Sequence, residues 1–185
     1  VLLLSPIYPP VMGGASVHFS QISSRLRGEV FDQAIVLTSF VSSRTVVERG
    51  DGKLVVRTLF PPDAISGTYR RPKLAFNCLM VALFVVFAVT VLRVSVVHTQ
   101  TKRYYELGTD VASKLGSTVI VDGQDLGSTS FQTTGNVFVA ASKNVADAAK
   151  HRTERIVQVP VGIDFEAFPD PDSKYRPTEE DYILY

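Results

Sequence analysis

The chain has 185 residues, enough for one domain with a sizeable core and short of two. It is 45% hydrophobic and 20% charged, a globular balance that excludes a disordered chain. Its 19 basic and 18 acidic residues leave a formal charge of +1 with no long basic run, which argues against a nucleic-acid partner. The single cysteine, Cys78, excludes an internal disulfide and a cysteine-cluster metal site and fits a reducing compartment; its apolar surroundings read as core filling.

Val1–Leu4 is too short for the apolar region of a signal peptide, and Pro6, Pro9 and Pro10 follow at once, so it reads as a buried strand. A chain that begins inside a strand without Met is expected to lack residues at this end. Similar β-rich runs without alternation recur at Ala34–Thr38, Val94–His98 and Thr118–Val121, then at Val137–Ala141 and Ile156–Val159, the pattern of strands covered on both faces. Between them, Ala15, Phe19, Ile22 and Leu26 line one helical face, and Tyr104, Leu107, Val111 and Leu115 line another. Strands alternating with helices predict an α/β domain, a Rossmann-like parallel sheet with helices on both faces. Residues 40–52 read as a polar segment ending in a Gly50-Asp51-Gly52 turn, before a further strand at Lys53–Thr58. The Pro, Asp, Lys and Glu content after Pro169 reads as a linker, and Tyr182-Ile183-Leu184-Tyr185 as a new strand.

Leu74–Leu92 carries no charge and is interrupted only by Asn77 and Thr90. As a helix it would span roughly 28 Å, close to the thickness of a bilayer core. Spanning conflicts with the strand that follows, which must join the same sheet as Val1–Leu4. The first reading is therefore a helix largely buried against the sheet. The second is a surface helix resting in a membrane interface, with Arg70, Arg71, Lys73 and Arg93 offered to anionic head groups.

The prolines of Ser5–Gly14 fix a loop, and Gly13-Gly14 opens the first helix, where free amides and the helix dipole favour an anion such as a diphosphate. The spacing is not that of the dinucleotide fingerprint. His18, one turn into the helix, can face the cleft or solvent, and His151 at a helix end suits the dipole.

The string SPIYPPVMGGASVHFSQISSRL resembles the opening of glycosyltransferase family 4, a retaining family of GT-B fold. VVHTQT, TVIVDGQDLG, FVAAS, VQVPVGIDFEAF and DYILY resemble further strand ends of that family in co-linear order. The resemblance implies an N-terminal acceptor-side domain over 1–168, an interdomain linker over 169–181, and at 182–185 the start of a missing donor-binding domain, the fragment being inactive alone. It implies transfer from a nucleotide-sugar donor to a lipid-linked or carbohydrate acceptor, in the cytoplasm or at the inner face of the membrane, with no cofactor and no metal. Gly13 and Gly14 would approach the donor, His98 matches a strand-end histidine, and Gln100 stands where a second one often occurs. Asp125 matches the Asp of a His-Asp pair whose His is replaced by Gln124, which can hydrogen-bond but cannot carry a proton or charge. Ser142 matches a serine turn and also reads as a helix cap; Asp164 matches a family Asp and also reads as a turn residue. The interval from Asp125 to Ser142 is shorter than the family's, through a deletion or absent residues. With no glycosidase-like carboxylate pair in view, chemistry would rest on positioning and on stabilising the leaving diphosphate. The alternatives are a sugar-nucleotide epimerase of the same two-domain architecture and a non-enzymatic flavodoxin-like module.

Overall fold

Three consecutive leucines with no exposure, Leu2–Leu4, form the central strand β1. The computed structural model of the chain describes residues 1–159 apart from 26, 42–43, 51, 62–69, 125–134, 151–152 and 154. Asp125, His151, Asp164, most of the polar stretch 127–135 and the segments 169–181 and 182–185, expected to be a linker and a new strand, lie outside these residues. In chain order follow α1 (Gly14–Arg25), β2 (Ala34–Ser39), β3 (Val47–Gly50), β4 (Lys53–Leu59), α2 (Arg70–Thr90), β5 (Val96–Gln100), a 3-10 turn (Arg103–Tyr105), α3 (Glu106–Lys114), β6 (Thr118–Gly123), β7 (Val137–Ala140), α4 (Lys143–Ala149) and β8 (Ile156–Gln158). The strands form one sheet in the order β3-β4-β2-β1-β5-β6-β7-β8, parallel except for the antiparallel edge strand β3. The predicted α/β parallel sheet is therefore the observed architecture.

β3 corrects the reading of residues 40–52 as a purely polar connection. Glu48 and Arg49 mask a strand because an edge strand needs only one protected side. The strand predicted at Val94–His98 starts two residues later. Arg93 takes a left-handed turn (φ 58°) to leave α2, and Val94 seals the end of that helix through its amide to the Ala88 carbonyl.

The sheet's two faces are covered unequally. On one lie α2, α3 and α4, enclosing a core that includes Leu2, Leu4, Leu37, Val85, Tyr105 and Phe138. On the other, Leu3, Val36 and Val55 meet Tyr8 and Phe19 under α1. In α1 the buried positions are Ser16, Phe19 and Ser23, with Ala15 and Ile22 half-buried. The small serines let the helix lie close to the sheet, and the Tyr8 and Ser23 hydroxyls bond at 2.8 Å.

The inward face of α3 also differs from the expected stripe. Leu107 and Leu115 are exposed, while Tyr105, Gly108 and Ala112 are buried. The reason is helix on helix packing: a Cβ on Gly108 would run into Val81 of α2, so only glycine permits this approach.

The first reading of Leu74–Leu92, a helix largely buried, is corrected as well. The fully buried positions of α2 form a narrow stripe, Asn77, Val81, Val85 and Ala88, flanked by partly buried Leu74, Cys78, Met80, Phe84 and Val89. Asn77 is there because its amide accepts from the Phe60 backbone N–H at 2.9 Å and donates to the Phe60 carbonyl at 3.0 Å, docking α2 onto the end of β4. Phe76, Leu79, Leu83, Val86 and Phe87 point outward, and 22% of the most apolar window is buried. Cys78 packs against the core while half-buried.

Gly108→Leu is expected to lower the unfolding free energy by about 1–3 kcal/mol, because overpacking must push α3 away from α2. Gly14→Ala, whose Cβ meets open space, should shift it by no more than about 0.5 kcal/mol. Urea melts of the two variants check this.

Candidate functional site: the carboxyl edge beneath the first helix

From β1 the chain steps outward to β2 and β4 on one side, then returns to place β5 on the other, so the connections diverge at the carboxyl ends of β1 and β5. In open parallel sheets that divergence makes the crevice where ligands bind. Here it receives residues 5–13, whose Pro9–Pro10 bond is cis, and the first turn of α1. The Gly13 carbonyl accepts from Val17 and begins the helix, leaving the first amides of α1 without intrahelical partners. The two glycines differ in what they serve. A Cβ on Gly13 would come within 2.8 Å of Ile7 Cδ1, whereas at Gly14 it would meet nothing within 4 Å. A side chain at Gly13 would have to displace the end of the Ile7 side chain, whereas Gly14 faces open space.

Under α1, register fixes the polar groups. His98 of β5 pairs with Leu3 and Ile120, and Gln100 pairs with Asp122, so His98, Gln100 and Asp122 share the α1 face. Gln100 and Asp122 are buried at the strand ends, and Gln124 follows β6 half-buried. Asp122 is met from above: His18 Nε2 lies 2.7 Å from Asp122 Oδ2, with the His18 side chain 37% exposed and that of Asp122 at 5%. Asp122 Oδ2 has no other partner among the described residues. The Phe19 ring sits beside both histidines, 5.5 Å from His18 and 5.1 Å from His98 between centroids.

His98 is the group whose protonation the fold fixes. His98 Nε2 is sealed from solvent with no hydrogen-bond partner among the described residues. Burial pushes its pKa down to about 4, against the opposing pull of the Asp122 carboxylate and with a smaller push from His18. His98 is therefore neutral at physiological pH and packs against Phe19. His18, partly exposed above the buried Asp122 carboxylate, is the imidazole of the pair that solvent can reach.

The residues expected from sequence come together in part. Gly13, Gly14, His98, Gln100 and Gln124 converge on this edge, with Asp125 outside the described residues. Ser142 starts α4, where its hydroxyl accepts from the Val145 amide at 3.3 Å, so the capping reading holds. The residue missed is Asp122, together with the direction of His18. The signal was available: in an otherwise apolar strand with both faces covered, a carboxylate needs a partner, and His18 lies one helical turn beyond Gly14. Among the described residues no group of three or more His, Cys, Asp or Glu could hold a metal. A larger cavity of about 860 Å³ opens at the amino ends of the strands, lined by Val1, Gln33 and Ser95 among others, on the edge opposite the switch point.

No family model matches the chain, and no curated protein is similar to it. Among solved structures, sucrose-phosphate synthase from Thermosynechococcus elongatus superposes with a TM-score of 0.64 at 13% identity, over 90% of this chain and 49% of that one. A shorter chain of that enzyme gives 0.61 at 12% identity, covering 90% of this chain and 91% of its own length. An α,α-trehalose-phosphate synthase (UDP-forming) from Burkholderia xenovorans, in complex with glucose-6-phosphate, gives 0.56 at 10% identity, over 88% and 50%. The fold is one found in GT-B glycosyltransferases. This chain spans about half the length of the two larger chains it matches.

The state of His98 sets a pH dependence. The unfolded chain binds a proton on this residue near pH 6.5, the folded chain only near 4, so its contribution is complete above pH 6.5 and is lost as pH falls towards 4. The loss is on the order of 3 kcal/mol. Denaturant melts at pH 7 and pH 4.5 should show that fall, and His98→Gln should flatten it; an unchanged slope in the variant would remove His98 as its source.

Proposed function

We propose that this chain is the acceptor-side domain of a retaining glycosyltransferase that takes a sugar from a nucleotide-sugar donor held mainly by a second domain. The observation that carries the reading is the start of α1 at the β1/β5 switch point, with Gly14 open to solvent, in a fold otherwise met in glycosyltransferases. The free amides of α1 and its dipole favour the diphosphate as charge develops on it. His18, backed by Asp122, adds an imidazole one turn above those amides, where Gln124 offers only a neutral amide. Gln100, Gln124 and, from the resemblance, Asp125 orient the sugars by hydrogen bonds. The reaction needs no cofactor or metal in this reading, and the domain alone is inactive because the donor's main grip lies elsewhere.

The test uses the protein extended past Tyr185 and a panel of nucleotide sugars followed by calorimetry. One of them should bind, and Gly14→Val should weaken it at least tenfold while leaving the melting temperature near wild type, since the added methyls enter open space in the free protein. Wild-type affinity in Gly14→Val, or no binding by any member of the panel, would sink the proposal.

The acceptor is proposed to be lipid-borne, with the domain resting on the inner face of the membrane. The outward stripe of α2 supports this. Phe76, Leu79, Leu83 and Phe87 recur at helical spacing, each worth about 1.5–3 kcal/mol on full burial, and exposed Arg71 and Arg93 stand at the two ends for anionic head groups. In co-sedimentation with vesicles containing anionic lipid, the wild type should pellet and the Leu79→Glu, Leu83→Glu variant should stay in solution. Equal pelleting of both would remove α2 as the contact.

A further inference from the structure

Helix α1 divides its face of the sheet in two. His18 leans towards β6 on one flank, and Ser20, about 200° further round the helix, turns to the other. On that second flank a cavity of about 480 Å³ opens between α1, the Tyr8-Pro9-Pro10 segment and the β3–β4 ribbon. Arg44, Arg49, Lys53 and Arg57 border it, with Glu48 as the one carboxylate among its lining residues.

The unusual member is Arg57, whose side chain is 2% exposed. Its Nη2 donates to the Pro9 carbonyl at 2.6 Å and to Glu48 Oε2 at 3.1 Å. Its Nε and Nη1 have no hydrogen-bond partner among the described residues, and neither does the hydroxyl of Thr38, its buried register partner on β2. A buried donor left without an acceptor is unfavourable, so these groups favour an incoming acceptor. Glu48 compensates this charge incompletely, because it is also shared with Arg44 at 4.0 Å. Lys53 is tethered to the Ser24 hydroxyl at 2.5 Å, which neutralises nothing. The cavity is thus a concave, partly low-dielectric space with four cations against one anion, and such walls concentrate positive potential inside.

We infer that this cavity is an anion subsite that takes a phosphate-bearing small molecule. The charge surplus suits a dianion better than a single carboxylate. The volume leaves room for the group that carries the phosphate, and Tyr8, Pro10 and Val55 supply an apolar wall for it. Because Arg57 also holds the Pro9 carbonyl, occupancy of the cavity would pull on the same segment that delivers Gly13 and Gly14 to the carboxyl edge. The inference does not depend on the glycosyltransferase reading, since it concerns the opposite flank of α1.

The experiment is titration of the chain with inorganic phosphate at fixed ionic strength, followed by amide chemical shifts. Saturable shifts are expected at Lys53, Val55 and Arg57. The rim variant Arg49→Ser, Lys53→Ser should weaken binding at least tenfold with the melting temperature kept. Arg57→Met should abolish it, and if that variant does not fold the rim variant still decides. Gly14→Val should bind phosphate as the wild type does. No saturable binding, wild-type affinity in the rim variant, or a loss in Gly14→Val as large as in the rim variant would each overturn the subsite; the last would assign the phosphate to the start of α1 instead.

Discussion

The structure depends on the pairing of β1 with two strands at once. Leu2, Leu3 and Leu4 align with Ile35, Val36 and Leu37 on one side and with Val97, His98 and Thr99 on the other. Three residues carry that duty because all three are sealed, so both registers are fixed by apolar burial on both faces. A slip by one residue would exchange Leu3, which belongs under α1, with Leu2 and Leu4, which belong under α2 and α3. Leu3 would then no longer lie beside His98 on the α1 face, while Gln100 and Asp122 keep the alignment set by β5 and β6. The geometry of the candidate site is therefore a consequence of two sealed registers, β1 with β5 and β5 with β6.

Unequal cover of the two faces follows from the order of crossovers. The connections from β4 to β5, β5 to β6 and β7 to β8 place α2, α3 and α4 on one face, whereas among the described residues α1 alone lies on the other. A lone helix has freedom to lie close, and Ser16 and Ser23 use it. The crowded face has the opposite problem. α2 is pressed between the sheet and α3, with glycine required at Gly108, yet a helix of 21 residues that is apolar all round exceeds what one sheet and one neighbour can bury. The surplus is the exposed stripe, which is why composition alone could not separate a core helix from an interfacial one.

How much was legible in the sequence follows the same physical divide. Strands with both faces covered announce themselves as unbroken apolar runs, and the first helix as a periodic stripe, so the parallel α/β sheet and most of its elements were readable. β3 was not, because an edge strand with one exposed side has no need of an apolar run. The inward face of α3 was misphased because the stripe counts large side chains, while a helix packed on a helix selects small ones. At the site, Gly13, Gly14, His98, Gln100 and Gln124 were identified as a group, since each lies at or near a strand end or loop. The His18–Asp122 pair was not, because it joins α1 to a strand about a hundred residues later, a contact that only the assembled sheet creates.

The paired glycines show how alike two neighbouring residues can look while answering to different causes. Gly13 has the tip of the Ile7 side chain against it, a contact that a shift of that side chain would relieve, so packing accounts for its lack of a side chain only in part. Gly14 has no such neighbour, its backbone is helical, and alanine or a larger residue there would favour the helix more. A position where the fold permits a side chain and propensity favours one, yet the residue is glycine, points to something that approaches from outside. The buried Asp122 carries the same kind of argument: a carboxylate placed in an apolar strand costs desolvation that the fold alone does not require, and the His18 imidazole of α1 lies against it. Both features cost the isolated domain stability, and both face the same edge of the sheet.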